Sequence, residues 1–519
     1  MSDPLREMPE KPDGGIVINT AAMRSRTFQF LIVVLLMVPF GSVDAAAAPR
    51  PPNVLFIAVD DLRPELGCYG AAHITSPALD RLAREGRLFQ RHYVQAAACG
   101  PSRCSLLTGL RETRSWDVWG ADRKRETPPE RPVSFPDLFR RNGYRTVCIG
   151  KISHEPGGVM DREQKVHQVP FSWDLAYAPA GKWKDPWGGF FCYADGSVRE
   201  YGYGRNKANK PAWEMADVGD HGYADAFNAD EAILQLRDLK QRGEPFLLAV
   251  GFYKPHLPHN APKKYWDLYD PATIGLPANN GPPRGTNPSI SLHKSEELTT
   301  HYAWPGGAGR ITDEQAIRQR HAYFACVSYV DAQIGRVLDE YRRLGLDQDT
   351  IVVVWGDHGW HLGEQGIFCK ATNYEAATRS VLIIRTPGMA SPGTRTTGLA
   401  ETIDLYPTLA DVCGLEAPEE LAGVSLRPLL EDPSHPGKHA VISGYSLNGY
   451  DGSALRTDRW RLVEWRHGKT GETGLVELYD HENDPGETVN VAAEHPDLVR
   501  ELIARLHDGS SRPFHGEIR

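Results

Sequence analysis

Uninterrupted apolar blocks alternate along the chain with stretches of helical period. Asn53-Val54-Leu55-Phe56-Ile57-Ala58-Val59 is continuous and β-prone, the pattern of a strand covered on both faces. Runs of the same kind occupy Tyr144 to Ile149, Phe246 to Val250, Ile351 to Trp355 and Val381 to Ile384, and helical stretches such as Pro77 to Glu85 and Arg318 to Leu344 separate them. This alternation predicts an α/β fold with a mainly parallel central sheet flanked by helices, in which ligands gather outside the carboxyl ends of the strands. Four of those ends carry polar residues: Asp60-Asp61, Lys151 with His154, His256, and Asp357-His358. Two Pro/Gly-rich insertions, Pro179 to Lys210 and Gly281 to Gly309, are too long for ordinary connections and are expected to wall a pocket.

From about His439 the pattern changes. Short alternating runs at Val441 to Tyr445, Ser453 to Thr457, Trp460 to Trp465 and Val476 to Asp480 predict an antiparallel meander, closed by an amphipathic helix over Pro496 to His507. With the break placed in Pro433 to Lys438, the chain divides into residues 1–48, 49–437 and a smaller α+β domain, 438–519. The first segment reads as an export signal: Arg24-Ser25-Arg26, the apolar run Phe28 to Phe40 and Ala45-Ala46-Ala47-Ala48 supply a basic region, an apolar core and small residues for cleavage. That run is short for a bilayer span, and no cysteine follows it to accept a lipid. An uncleaved anchor is the other reading of the same run.

At 519 residues the chain can bury a large core, and 41% apolar with 24% charged residues is an ordinary globular composition. The net charge of −9 and the lack of a long basic run argue against a nucleic-acid partner. They leave open a cationic pocket built from a few lysines and histidines. The eight cysteines would suit disulfides in an exported protein. Cys148 and Cys326, however, lie in strand-like and helix-like apolar runs, where cysteine acts as a small buried residue. No C-x-x-C or Cys/His zinc spacing occurs.

The chemistry concentrates at the strand ends. Asp60 and Asp61 are adjacent acids, and strand neighbours face opposite ways unless a turn brings both toward one ion; a solvated acidic cap is the alternative. Gly356-Asp357-His358-Gly359 adds a carboxylate and an imidazole after another buried run. Three aspartates with a single histidine make a mostly oxygen-lined site that suits calcium before magnesium, with zinc ranked behind for want of nitrogen and sulfur ligands. Lys151 and His154, spaced i, i+3, share a face if a helical turn follows their strand; the same spacing is common surface decoration. Lys254-Pro255-His256-Leu257-Pro258 stiffens a loop around a histidine that either serves as a proton donor or is a hydrogen-bonded turn residue. Lys370 follows closely enough to reach the same pocket as a point charge. Trp360 stands between them either as a substrate contact or as packing.

Cys99-Gly100-Pro101-Ser102-Arg103, read locally, starts a helix, with Pro101 in its first turn and Ser102 as a cap. The segment also resembles the maturation signal of the formylglycine-dependent sulfatases of the alkaline phosphatase superfamily. Together with Asp60-Asp61, Gly150-Lys151 and His154, Lys-Pro-His-Leu-Pro at 254–258, Asp357-His358-Gly359-Trp360 and Lys370, it resembles most closely the iduronate-2-sulfatase branch, over Pro52 to about Val491. The resemblance implies that residues 49–437 form the catalytic domain and that a maturation enzyme oxidises Cys99 to formylglycine. Asp60, Asp61, Cys99, Asp357 and His358 would then bind calcium, and Arg103, Lys151, His154, His256 and Lys370 would complete the anion site. It implies attack at sulfur by the hydrated aldehyde, whose second hydroxyl lets the sulfate ester collapse, with a sulfated carbohydrate as substrate. A phosphonate monoester or phosphodiester hydrolase of the same superfamily, or a decayed carbohydrate-binding protein, are the competing readings.

Overall fold

A computed structural model of the protein describes residues 50–111, 127–158, 168–200, 209–307 and 309–509; the expected export signal lies outside them. Strands β1 (Asn53–Val59), β2 (Arg87–Phe89), β3 (Arg145–Gly150), β4 (Leu175–Tyr177), β5 (Phe246–Phe252), β6 (Thr350–Gly356), β7 (Leu382–Arg385) and β8 (Arg395–Thr396) form an eight-stranded sheet in the order β8-β2-β7-β6-β1-β5-β3-β4. The alternation along β1 divides between its two faces. Leu55, Ile57 and Val59 enter one core cluster and Val54, Phe56 and Ala58 another, so every residue of the strand is buried.

The first cluster is covered by α1 (Pro77–Glu85), α4 (Asp225–Arg242) and α5 (Asp313–Arg343), through residues such as Leu82, Leu236, Val330 and Leu338. The second is covered by α2 (Cys99–Thr108), α3 (Phe135–Arg141) and α6 (Leu405–Val412), through Leu107, Phe139 and Leu409. A capping box between Thr312 and Gln315 starts α5, satisfying donors the first turn leaves open. No disulfide joins the eight cysteines, seven of which are buried.

The sheet is mixed. Strands β3, β5, β1 and β6 run parallel, but β7 pairs antiparallel with β6, Leu382 opposite Trp355 and Ile383 opposite Val354. The connection is consistent with this: between Gly356 and Leu382 there is no helix longer than Glu375–Thr378, whereas a parallel return is usually made by a crossover helix. The C-terminal meander forms as four antiparallel strands, β9 (Val441–Leu447), β10 (Tyr450–Arg456), β11 (Trp460–His467) and β12 (Thr473–Asp480), with α7 (Pro496–His507) packed on them.

Register places the chemistry. Val59 is level with both Phe252 and Gly356, and Gly150 with Gly251, so Asp60, Asp357, Tyr253 and Lys151 leave the sheet side by side. Gly150 ends β3 at φ +66°, and a Cβ there would lie 2.1 Å from the Gly251 carbonyl oxygen. Only glycine lets β3 turn this close to β5.

Candidate active site

Asp61 adopts φ +58° immediately after β1. This breaks strand alternation, so one ligand atom each from Asp60, Asp61, Cys99 and His256 falls within 4.8 Å of the others; Cys99, Asp357 and His358 form an overlapping group of the same kind. All these side chains are buried.

Cys99 opens α2, with Ala98 as the N-cap and no side-chain cap. Ser102 is therefore not a cap: it lies inside the helix, and its hydroxyl donates to the Asp357 carbonyl, tying α2 to the end of β6. The helix start points the positive end of its dipole at residue 99. The Cys99 Sγ lies 3.3 Å from His358 Nε2 and 3.8 Å from Asp61 Oδ1. Burial and the Asp60 carboxylate push its thiol well above the usual range, which makes the unmodified cysteine a poor nucleophile. His358 donates Nδ1–H to the Gly359 carbonyl at 2.9 Å, leaving Nε2 to face the carboxylates.

Arg103 is fully buried and does not line the cavity. Its Nε donates to Asp357 Oδ2 at 2.9 Å, Nη2 to Asp60 Oδ1 at 3.2 Å, and Nη1 to the carbonyls of Lys151 and Ile152. It therefore braces two of the carboxylates from beneath the cavity. Trp360 is 1% exposed and absent from the cavity wall, in the core with the Lys370 ammonium 5.0 Å from its ring centre. A side chain next to a motif need not share its direction.

Two lysines reach the carboxylates from the cavity side. Lys151 Nζ donates to Asp60 Oδ2 at 2.6 Å and lies over the Phe190 ring; burial is the largest single influence and opposes its charge, but Asp60 together with Cys99 and Asp357 raises its pKa. Lys370 Nζ donates to both Asp61 oxygens, at 3.1 and 3.2 Å. Burial, only partly offset by Lys370 and reinforced by Asp60, raises the Asp61 carboxyl well above its usual range. With ligand atoms of Asp60, Asp61, Asp357 and His358 turned toward one another in overlapping groups, the buried cluster has the oxygen-rich donor set that suits a hard divalent cation.

His154 and His256 both line the cavity. No helical turn links Lys151 to His154, the intervening residues being irregular bends. Burial, reinforced by Lys151, lowers His154 to about 3, so it is neutral at physiological pH. His256 donates Nδ1–H to the Leu257 carbonyl at 2.6 Å, while Lys254 Nζ donates to the carbonyls of His256 and Pro258 and holds the loop.

The cavity above these groups measures about 820 Å³. Both insertions contribute walls, through Trp187, Phe190, Phe191 and Arg199 from the first and Glu297 and His301 from the second. The C-terminal sheet closes another side with Tyr445, Asp451 and Ser453. Sequence reasoning did not single out Arg199, Glu297, His301, Tyr445 or Arg111, because none sits at a patterned strand end. A third cluster, Glu375, His481 and Glu487, is filled by Arg461, whose Nε is 2.7 Å from Glu487, and is structural.

Buried lysines facing a carboxylate cluster, at the carboxyl ends of a parallel run and beneath an open cavity, make a site suited to an anionic ester. Residues 52–415 match the sulfatase family model and 363–511 the C-terminal domain of N-sulphoglucosamine sulphohydrolase. Iduronate 2-sulfatase of Homo sapiens is 32% identical over 449 residues, 76% of this chain and 78% of that protein. A sulfatase of Formosa agariphila is 31% identical over 452 residues, 85% and 83%. The solved phosphonate monoester hydrolase of Silicibacter pomeroyi superposes with a TM-score of 0.68 at 26% identity, over 88% of this chain and 95% of that one. The chain belongs to the sulfatase family, and its activity is that of a sulfuric ester hydrolase. Among the described residues no helix is long and apolar enough to cross a membrane.

Proposed function

We propose that this chain is an exported sulfatase of carbohydrate sulfates, with 2-O-sulfated uronates the leading substrate, acting through a formylglycine derived from Cys99 and a calcium ion. A formylglycine-generating enzyme is the partner this requires. The observation that carries the reading is the convergence on Cys99 of Asp61 and His358, 3.8 and 3.3 Å from its Sγ, at the floor of a cavity of about 820 Å³.

Asp60, Asp61, Asp357 and His358 would hold the calcium, with residue 99 beside them. When present, the hydrated aldehyde supplies a nucleophilic oxygen and the cation stabilises charge on the sulfuryl group. The protein's own side chains do the rest. Arg103 fixes Asp60 and Asp357 against each other, so the donor set is preorganised. Lys151 and Lys370 meet the sulfate oxygens as point charges. His154, unprotonated in the free site, accepts a proton as sulfate is expelled. A bound sulfate offsets the Lys151 charge that helps hold its pKa down, which strengthens it as a base in the complex. His256, once doubly protonated in the complex, presents Nε2–H to the departing alcohol as proton donor, with Lys370 beside it.

The 32% identity to human iduronate 2-sulfatase favours uronate sulfates. Arg199 and Arg111, the latter paired with Glu401, bring positive charge to the wall, which favours an anionic sugar. For matched sulfated sugars with and without the carboxylate, we expect kcat/KM to differ by about 1.5–3 kcal/mol, the value of a charge-assisted contact. Equal efficiency removes the uronate assignment, and preference for a phosphonate monoester, as the Silicibacter relative's name implies for that protein, removes the sulfatase one. Elemental analysis after gentle purification should find stoichiometric calcium; zinc alone would overturn the metal.

A further inference from the structure

Glu297 lies in the second insertion, in the short helical turn Glu296–Thr299. Its Oε1 stands 3.1 Å from Lys370 Nζ and 3.5 Å from His256 Nε2. That imidazole nitrogen is farther from Asp61 Oδ2, at 3.9 Å. One carboxylate oxygen therefore spans the two groups assigned above to the departing alcohol.

The turn is built onto the segment that carries Lys370. The Ser295 N–H donates to His293 Nδ1 at 2.9 Å, which fixes the tautomer so that Nε2–H donates to the Lys370 carbonyl at 2.5 Å. The Phe368 N–H donates to Ser295 Oγ at 2.9 Å. His256 is held from its far side by the bond to Leu257. A carboxylate braced in this way loses little freedom on reaction, which is the condition for useful preorganisation.

Building on the sulfatase reading, we propose that Glu297 is a positioning residue for leaving-group departure, holding the Lys370 ammonium and the Nε2 edge of His256 together on the ester oxygen. In that step a bond forms between sulfur and the nucleophilic oxygen at residue 99, and the sulfur–oxygen bond to the alcohol breaks. The breaking bond leaves its electron pair on the alcohol oxygen, and that oxygen takes the Nε2 proton of the doubly protonated His256, which returns to the neutral imidazole with its Nδ1 proton still donated to the Leu257 carbonyl. Glu297 forms no bond and transfers no proton; it acts through its two neighbours. Asp61 faces the cation site as well as Lys370, whereas Glu297 faces only the pair and the cavity.

The test is a leaving-group series of 4-nitrophenyl, phenyl and 4-methoxyphenyl sulfate, with wild type, Glu297→Gln and Glu297→Asp. The loss of kcat/KM in Glu297→Gln should grow as the departing phenol becomes less acidic, reaching about tenfold or more at the poor end, since help to the leaving oxygen matters most there. Glu297→Asp, which keeps the charge, should recover part of that loss and a shallower dependence. An equal loss for all three esters in both variants, or no loss, overturns the proposal while leaving the sulfatase reading intact. Should Glu297→Gln not fold, the slope for Glu297→Asp against wild type decides in the same way. A wild-type enzyme that cleaves none of the sulfates but does cleave a phosphonate monoester removes the sulfatase reading, and this proposal with it.

Discussion

Arg103 and Asp61 are both buried to completion, yet they do different work, and substitution should separate them. Arg103 spends its donors on Asp60, Asp357 and two carbonyls. Arg103→Ala therefore strands two buried carboxylates, and we expect a loss of about 3–5 kcal/mol in chemical denaturation. Lysine cannot restore it, because one ammonium lacks the fork that reaches both acids. Asp61, which accepts from Lys370 and faces Cys99, should behave in the opposite way. Asp61→Asn is expected to lower kcat about 10²-fold or more with little change in the denaturation midpoint. If both variants lose stability alike, the division between brace and reacting face is wrong.

The strand ends show how much of this site the sequence carries. Asp60-Asp61, Lys151, His256 and Asp357-His358 were legible because each follows a buried apolar run, and parallel register then brings such ends together. Glu297 and Tyr445 were not, since their nearness to Lys370 and Cys99 depends on how an insertion and the C-terminal sheet pack, and no local period records that. The reversal of β7 had a signal that went unused: the connection from Gly356 holds no helix of crossover length. Ser102 was misplaced as a cap because spacing says which residues are neighbours and not where the helix begins. At this scale Gly150 is the sharpest probe. With φ +66° and the Gly251 carbonyl 2.1 Å from where a Cβ would sit, Gly150→Ala must shift either β3 or β5. We expect a stability loss on the order of 1–3 kcal/mol together with lower kcat, because Lys151 follows directly; full activity with unchanged stability would contradict the register argument.

At the scale of the molecule, buried histidines tie the fold to pH. Burial lowers His92 and His361 to about 3 each. His92 packs against Thr402, whose hydroxyl also receives the Trp355 indole, and His361 bonds Thr372. In the unfolded chain both take a proton near pH 6.5, whereas in the folded protein they resist it to about 3. The stability they support is therefore complete above about pH 6.5 and drains away as pH falls toward 3. Urea midpoints should fall between about pH 7 and 5, and His92→Gln should flatten that slope; an unchanged slope would remove His92 from the account. The same burial keeps the C-terminal sheet on the site, with Arg461 bonded to Glu375, Glu487 and the Asn373 carbonyl beside Tyr374, so that Tyr445 and Asp451 stay on the cavity wall.

The central claim is that residue 99 reacts as an aldehyde hydrate and not as a thiol. Peptide mass spectrometry of the Cys99 segment, on the same preparations in which sulfate release is measured, tests it most directly. Specific activity should rise in proportion to the fraction of residue 99 found as formylglycine, and Cys99→Ala should release no sulfate. Full activity from protein in which every Cys99 remains a thiol, or from Cys99→Ala, would contradict it.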